Sequence, residues 1–387
     1  LSYSSFYNMN FQLTEEQIAV RDAARHFAQT ELLPGVIERD DQQKFPAEQI
    51  KKLGELGFLG MMVDPKYGGS GMDAVSYVLA MEEISKVDAS ASVVMSVNNS
   101  LVCWGLETYG NEEQKQKYLV PLASGQCIGA FLLSEPEAGS DATSQRTTAE
   151  DKGDHYVLNG IKNWITNGSS ATYYLVIAQT DIAKKHKGIN AFIVHKDWPG
   201  VTVGAKENKM GIRGSDTHSI SFQDVKVPKE NRIGEDGFGF TFAMKTLAGG
   251  RIGIASQALG IASGALELAI KYSKERKAFG TEIMNHQAIA FKMAEMATAV
   301  EAARLLCLKS AWEKDQHIDY TVSGSIAKLY ASEIAQWVTN EAVQIHGGYG
   351  YVKEFHVERL MRDAKITQIY EGTSEVQKIV ISRSLLK

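Results

Sequence analysis

The sequence predicts an α+β protein of several domains: a helical N-terminal part, a middle β-barrel or sandwich, and a C-terminal four-helix bundle. Three observations predict this order. Helical periodicity extends to about residue 125, short β-branched runs separated by Gly, Asn and Asp follow to about residue 235, and long Ala-rich helical stretches continue to the end. We therefore expect domains at 1–125, 126–235 and 236–387.

The N-terminal part is predicted to contain five helices. Thr14 begins a capping-box pattern ahead of the first helix, which should end near Pro34. Pro46 opens the second helix, which stops at Gly57, and the Gly-rich stretch 65–73 is predicted to be a loop. The remaining helices are expected at 74–87, 90–108 and 112–124.

The middle and C-terminal parts differ in the period of their apolar residues. Period-two runs predict strands at 128–133, 155–160, 172–180, 190–196 and 218–227. Helical periodicity predicts helices at 238–274, 287–314, 321–345 and 352–362, and a last helix after Thr373. Long helices with short connections favour a four-helix bundle.

Composition excludes several classes of function. Of 387 residues, 44% are hydrophobic and 22% charged, as in ordinary globular proteins, and the net charge of −5 argues against a nucleic-acid partner. The three cysteines are far apart and odd in number, so we expect a reducing compartment and no metal site. No apolar run is expected to span a membrane. Met9 resembles a natural start, which favours a cytoplasmic protein and leaves a processed mitochondrial matrix enzyme open.

A carboxylate near the C-terminus is the first candidate for chemistry. Glu371 lies between Tyr370 and the bare Gly372, just before a helix that Thr373 or Ser374 can cap. Apolar surroundings raise the pKa of a carboxyl group and would make Glu371 a general base at working pH. On local features alone, however, a Glu before a capped helix is usually plain turn chemistry.

Five further motifs each have a plain structural alternative. The polar turn 131–141 can hold a ring edge or a pyrophosphate, or can be a simple loop. Trp164 can cover a flat cofactor or fill a core. The segment 274–280 offers Arg and Phe to a nucleotide, or is a solvated helix end. The glycines of 344–350 follow a helix, which fits a C-cap and not a Rossmann site. The segment 362–366 is interpreted as a structural ion pair.

Together and in this order, the motifs identify a family. The chain resembles the acyl-CoA dehydrogenases from LTEEQ at Leu13 through the C-terminal ISR, most closely the short-chain (butyryl-CoA) branch. The matching segments are YGGSG (67–71), LSEPEAGSD (133–141), WITNG (164–168), ERKAFG (275–280), QIHGG (344–348) and IYEGTSE (369–375). The resemblance implies a tetramer of helical–β–helical subunits, each with one FAD.

The resemblance also implies roles for residues at matching positions. Glu371 would remove the α-proton of a thioester, with its own backbone amide and a flavin ribityl hydroxyl as donors to the thioester oxygen. The expected flavin contacts are Phe131, Leu133, Ser134, Ser140, Trp164, Ile165, Thr166, Thr373 and Glu375. The expected contacts to the FAD of a neighbouring subunit are Arg276, Phe279, Gln287, Gln344, Ile345, Gly347 and Gly348. The expected acyl-CoA contacts are Ser140, Arg251, Tyr370 and Gly372.

Three positions depart from patterns within the family. Some members carry the base on the long helix at the position of Gly250, which cannot act as one, so Glu371 is favoured. Ala248 replaces an acid common in short-chain relatives, which puts one CoA contact in doubt. Ser92 stands about where glutaryl-CoA enzymes carry an arginine, which disfavours a diacid substrate.

The expected activity is FAD-dependent conversion of short acyl-CoA thioesters to trans-2-enoyl-CoA, with electrons passed to an electron-transferring flavoprotein. Open alternatives are a short-branched-chain substrate, an acyl-CoA oxidase, a dehydrogenase subunit of an electron-bifurcating complex, and a catalytically silent scaffold. Acyl chain length and the physiological direction are not fixed by the sequence.

Overall fold

The structure, a computed structural model, describes residues 10–386, so the predicted start at Met9 lies outside the described residues. Helix α1 (Glu15–Phe27) begins at the predicted Thr14 cap, whose hydroxyl accepts from the Gln17 amide in a complete capping box. A π-helical turn, Ala28–Leu32, continues it almost to Pro34. A short helix α2 (Val36–Asp41) was not predicted, and α3 (Ala47–Glu55) matches the prediction at Pro46.

Five more helices complete the N-terminal part: α4 (Ala74–Val87), α5 (Ala89–Ser96), α6 (Trp104–Tyr109), α7 (Glu112–Gln114) and α8 (Val120–Ala123). Each of the predicted helices at 90–108 and 112–124 is present but contains a π-helical segment. These segments are Val97–Cys103 in the first and Lys115–Leu119 in the second. Such wide turns often mark functional sites.

Two buried asparagines fix the first π-helical segment. Asn98 donates to the carbonyls of Leu59 (2.8 Å) and Leu122 (3.2 Å), and Asn99 donates to the carbonyl of Phe58 (2.8 Å). Their side-chain oxygens accept from backbone amides, for instance Met61 to Asn99 at 2.7 Å. These bonds satisfy backbone groups that would otherwise be buried without partners.

The middle part is one eight-stranded sheet in the order β6-β7-β3-β2-β4-β5-β8, with β1 beside β4. The strands are β1 (Gly129–Leu132), β2 (Thr148–Asp151), β3 (His155–Thr166), β4 (Tyr173–Gln179), β5 (Ile189–His195), β6 (Val201–Lys206), β7 (Thr217–Pro228) and β8 (Arg232–Ile233). All five predicted strands are present. Strand β2 touches β4 at a single residue pair, Thr148 and Gln179, so it joins two halves of the sheet.

Strands β4 and β5 are buried on both faces, because each separates two cores. Leu175 and Ile177 pack into the core shared with the C-terminal helices, whereas Tyr174 and Val176 pack into the core with the other half of the sheet. Tyr156 of β3 meets Phe192 of β5 in that second core, with ring centroids 4.9 Å apart.

The C-terminal part is helical, as predicted. Its helices are α9 (Gly239–Glu275), α10 (Gln287–Asp315), α11 (Thr321–His346), α12 (His356–Ile366) and α13 (Ser374–Leu385). A hairpin of β9 (Lys277–Ala278) and β10 (Thr281–Glu282) connects α9 to α10. The predicted start of α12 at 352 is wrong, because Val352 and Phe355 have extended backbone and the helix begins only at His356.

Helix α9 forms the centre of the molecule. By length and composition alone it could cross a membrane, contrary to the prediction that no segment is long and apolar enough. Within the protein, however, 89% of its most apolar window is buried, which is the property of a core helix.

Ion pairs anchor α12, the helix that leads to Glu371. Arg362 contacts Glu358 (2.7 Å) and Asp40 (2.8 Å), and the buried Arg359 contacts Asp363 (3.1 Å). The structural interpretation of the segment 362–366 is therefore confirmed.

Candidate active site

Glu371 lies on a tight turn between α12 and α13. Its backbone is left-handed at φ +52°, and Gly372 follows at φ +92°. Of the two predicted caps, Thr373 is the N-cap of α13, because its hydroxyl accepts from the Val376 amide at 3.3 Å. A non-glycine residue at positive φ is uncommon and persists only where its surroundings hold it.

The Glu371 carboxylate points at α9. A Cβ atom added at Gly250 would lie 2.0 Å from Glu371 Oε2 and 2.8 Å from Leu101 Cδ2. The glycine therefore leaves the space that the carboxylate occupies. Leu101 belongs to the π-helical segment, so the unusual wide turn lies at this site.

Burial makes this carboxyl group a base near neutral pH. Oε2 is buried and accepts no hydrogen bond from the described residues. Desolvation raises the pKa of Glu371 from 4.5 to about 7, against the lowering influence of Lys328 and Arg251.

The two cations come from different helices. Arg251 on α9 is 7% exposed and donates to Ser325 Oγ at 3.2 Å. Lys328 on α11 is fully buried and donates to the Gly372 carbonyl at 2.6 Å. Burial lowers the pKa of both groups, that of Lys328 to about 8.

Tyr370 links the turn to α9 and α5. Its hydroxyl donates to Gln257 Oε1, and Gln257 Nε2 donates to Ser92 Oγ (3.0 Å) and the Ala89 carbonyl (2.9 Å). Ser92 is thus a buried, neutral residue in this series of hydrogen bonds. It provides no positive charge for the second carboxylate of a diacid substrate.

The backbone amide of Glu371 is available to a ligand. Among the hydrogen bonds of residues 10–386, the turn uses the Tyr370 amide to Ile366 and the Ser374 amide to Gln368, and none starts from the Glu371 amide. Free amides of this kind can stabilise a developing oxyanion.

The polar turn after β1 is held by a buried lysine. Lys162 Nζ donates to the Leu133 carbonyl (3.0 Å), Glu135 Oε1 (2.8 Å) and Gln145 Oε1 (3.2 Å), and it has no exposed surface. The Asn163 amide donates to the Ser134 carbonyl at 2.9 Å. The structure therefore brings the 131–141 turn and the Trp164 segment together, as the resemblance implies.

These two segments fit a flat polar cofactor. Trp164 is 62% exposed and has φ +61°, so it is presented to the outside and does not fill a core. Within the described chain, the hydroxyls of Ser134, Ser140 and Thr166 make no hydrogen bond and are available to a ligand. Ile165, in contrast, is 2% exposed, so only its backbone could reach a cofactor.

Helix α9 connects the two sets of residues. Phe131 packs beside Phe242 with ring centroids 6.3 Å apart, and Gly250, which faces Glu371, lies eight residues further along the helix. Eight residues correspond to about 12 Å of helix. A ligand lying along α9 would therefore reach both Phe131, at the end of strand β1, and the Glu371 carboxylate.

A third set of predicted residues lies at the protein surface. Arg276 stacks over Tyr349 with 5.5 Å between the guanidinium carbon and the ring centroid, which brings the hairpin and the 344–350 turn together. Phe279 is 97% exposed at φ +54°. Gln287, Gln344, Gly347 and Gly348 are also exposed, whereas the Ile345 side chain is buried.

Three buried polar residues near the site were not predicted: Lys162, Lys328 and Gln377. One sequence signal pointed to Lys328, because it shares a helical face with the buried Gly324, Ala331 and Ala335, where a lysine is unusual. Nothing comparable marks Lys162, which stands between Ile161 and Asn163, or Gln377, which stands between Val376 and Lys378.

Comparison with known proteins gives a consistent result along the whole chain. Models of the acyl-CoA dehydrogenase N-terminal, middle and C-terminal domains match residues 14–126, 130–225 and 237–386. The chain is 51% identical to the short-chain-specific acyl-CoA dehydrogenase of Clostridium acetobutylicum, covering 98% of this chain and 100% of that one. It is 49% identical to the human mitochondrial short-chain-specific enzyme, covering 97% and 91%.

Solved structures agree. Butyryl-CoA dehydrogenase from Megasphaera elsdenii superposes with a TM-score of 0.97 at 50% identity, covering 98% of this chain and 100% of that one. A chain from work on the electron transferring flavoprotein of Acidaminococcus fermentans gives a TM-score of 0.97 at 51% identity, with the same coverage. The chain belongs to the acyl-CoA dehydrogenase family.

Proposed function

We propose that this protein is an FAD-dependent acyl-CoA dehydrogenase that converts short acyl-CoA thioesters to trans-2-enoyl-CoA. One observation carries the proposal: the buried Oε2 of Glu371 has no hydrogen-bond partner among the described residues and lies against the side-chain-free surface of α9 at Gly250. The relatives at about half identity over nearly the full chain, named short-chain specific, support the substrate class.

Glu371 would remove the α-hydrogen of the thioester as a proton. A pKa of about 7 makes it a stronger base than an ordinary carboxylate, and part of it is already ionised at neutral pH. A ligand lying over Gly250 would exclude the remaining water and strengthen this effect. The unpaired Oε2 is then free to receive the proton.

The same turn would stabilise the enolate. The Glu371 amide is free to donate to the thioester oxygen, and removing one such donor typically costs on the order of 10²–10³ in rate. Gly372, without a side chain, would let the thioester approach the turn closely. Arg251 adds positive charge to this region.

The residues at the end of the β-sheet would hold FAD. Trp164 would cover the ring system, with the hydroxyls of Ser134 and Thr166 as hydrogen-bonding partners and Thr373 and Glu375 as further contacts. Bound FAD would supply the acceptor for the β-hydrogen, which leaves as a hydride. The polypeptide then has to place the acyl chain between this acceptor and Glu371.

We also propose a homotetramer. In it, the exposed residues of the β9–β10 hairpin and of the 344–350 turn reach the FAD of a neighbouring subunit. Phe279 supports this, because its ring is 97% exposed at positive φ and its only aromatic contact within the described part of its own protomer is an edge contact with His286. An electron-transferring flavoprotein is proposed as the electron acceptor, on the basis of the relative studied with that of Acidaminococcus fermentans. That relative also favours a second candidate, a dehydrogenase subunit of a bifurcating complex, which co-purifying flavoprotein subunits would identify.

Replacement of Glu371 tests the function. We expect Glu371→Gln to keep FAD and to reduce kcat by about 10²–10⁴-fold, which is the usual contribution of a general base. The measurement is anaerobic bleaching of flavin absorbance by butyryl-CoA, and then by longer and branched acyl-CoAs. Glu354→Gln, an exposed position, is the control. Full turnover by Glu371→Gln would place the base elsewhere.

A further inference from the structure

One carbonyl oxygen of the turn that carries Glu371 accepts hydrogen bonds from two buried side chains. The Gly372 carbonyl accepts from Lys328 Nζ at 2.6 Å and from Gln377 Nε2 at 2.8 Å. Both donors are fully buried. Two consecutive residues of the turn have positive φ, so the conformation needs outside support, and these two side chains provide it.

Lys328 is a costly way to provide one hydrogen bond. A fully buried ammonium loses its hydration, and here burial lowers its pKa to about 8. Within the part of the chain that the structure describes, one of its three N–H donors makes a hydrogen bond, to the Gly372 carbonyl. Gln377 shows that a neutral amide can reach the same carbonyl. A buried charge at this place therefore suggests a purpose beyond the hydrogen bond.

That purpose is found in the carboxylate next to it. Among the charged groups that act on Glu371, Lys328 has the largest influence and Arg251 the next, and both favour the ionised form. The Tyr370 hydroxyl of the turn and the Tyr77 hydroxyl of α4 lie near the carboxylate, and neither is charged at neutral pH. Glu375 of α13 acts on Lys328. Within residues 10–386, the charges that favour the ionised form of Glu371 are those of Lys328 and Arg251.

We propose that Lys328 is a positioning residue for the base: it fixes the Gly372 carbonyl so that the Glu371 carboxylate stays over Gly250, and its charge favours the ionised carboxylate. The inference rests on the proposed function, because it takes Glu371 as the base. The two side chains that donate to the Gly372 carbonyl oxygen would then have different roles. Gln377 only orients the turn, whereas Lys328 both orients it and sets the pH at which it works.

The experiment compares three substitutions in the FAD-loaded enzyme. Lys328→Gln keeps a donor but removes the charge, Lys328→Arg keeps the charge, and Gln377→Leu removes a neutral donor. We expect the acid limb of the kcat–pH profile with butyryl-CoA to move up by about 1 unit or more in Lys328→Gln, since a nearby opposite charge shifts a carboxyl pKa by about 1–3 units. Lys328→Arg should restore the limb, and Gln377→Leu should lower kcat without moving it.

A structural control and a second readout complete the test. Lys314→Met removes another partly buried lysine, which contacts Met62 and Trp104, and should lower Tm without moving the limb. The pH dependence of Tm, compared with and without Glu371→Gln, reports the Glu371 titration even in variants that turn over poorly. An unmoved titration in Lys328→Gln by both readouts would overturn the inference. If Glu371→Gln itself keeps full turnover, the proposed function fails instead.

Discussion

The raised pKa of Glu371 couples activity to stability at one residue. Between pH 4.5 and about 7 the folded protein keeps a proton that the unfolded chain has lost. Stability is therefore greatest below pH 4.5 with respect to this group, and falls as the pH rises through about 7. If Glu371 is the base, as proposed, activity has the opposite dependence, because the carboxylate must be ionised, and kcat/KM should rise through about pH 7.

The first prediction follows from this sign. We expect Glu371→Gln to be more stable than the parent at pH 8 by on the order of 1–3 kcal/mol, and equally stable near pH 4.5. Urea denaturation across this pH range measures the difference. Glu354→Gln should show no such trend, and a constant difference at all pH values would contradict the role of desolvation.

The second prediction concerns the adjacent glycines of α9. Gly250→Ala places a methyl group 2.0 Å from Glu371 Oε2, so the carboxylate has to move and kcat should fall about tenfold or more. At Gly249 the nearest atoms to an added Cβ lie 3.8 Å away, so Gly249→Ala should keep activity and gain about 0.5–1 kcal/mol of stability. Equal loss of kcat in both variants would contradict the assigned geometry.

At the scale of elements, strand β3 presents the third prediction. Lys162→Met leaves Glu135 buried without its cation, which typically costs 3–5 kcal/mol, and frees the turn that holds Leu133. We expect a lower Tm together with loss of FAD, measured as the absorbance ratio at 450 and 280 nm. Lys152→Met, on an exposed pair with Glu150, should change neither. Retention of FAD in Lys162→Met would show that the turn is fixed by other contacts.

Elements with local signals could be predicted, and those set by distant partners could not. The Thr14 capping box, the Pro46 start of α3 and the length of α9 follow from nearby residues. The π-helical segment at Val97–Cys103 depends on Asn98 and Asn99 bonding to carbonyls up to 41 residues away, which no periodicity reveals. Strand β2 is polar and exposed at one end, so its pairing with β3 had no hydrophobic pattern to mark it.

At the scale of the whole molecule, the fourth prediction tests assembly. Phe279 and Gly280 form the two-residue loop between β9 and β10, both at positive φ, where a bulky aromatic residue is unfavourable. Phe279→Asp should leave the stability of a protomer unchanged or higher, but should weaken the proposed tetramer and release FAD. Light scattering after size-exclusion chromatography measures this. Ile182→Asp, at another exposed apolar position, should leave assembly unchanged, and a tetrameric, FAD-loaded Phe279→Asp would contradict the role.

In the candidate site too, motifs of consecutive residues could be predicted, whereas contacts between residues distant in sequence could not. Motifs of consecutive residues, such as Glu371 to Thr373, could be recognised in the sequence, and their order along the chain identified the family. The contact between Glu371 and Gly250 was not predicted, because it joins α9 to a turn far along the chain. The helical face of Lys328 marks it as an unusual buried lysine, but its bond to the Gly372 carbonyl spans 44 residues and no local pattern indicates that partner.

The missing side chain at Gly250 has one more consequence. The proposed reaction needs a basic carboxylate oxygen at a particular point above α9, and a side chain of the helix itself or of the turn facing it can place an oxygen there. Because the two sources would collide, a chain can carry only one of them at a time. A carboxylate moved from the turn to the helix would bring its oxygen to the same point from a different segment. Proteins with this architecture can therefore differ in the segment that carries the base.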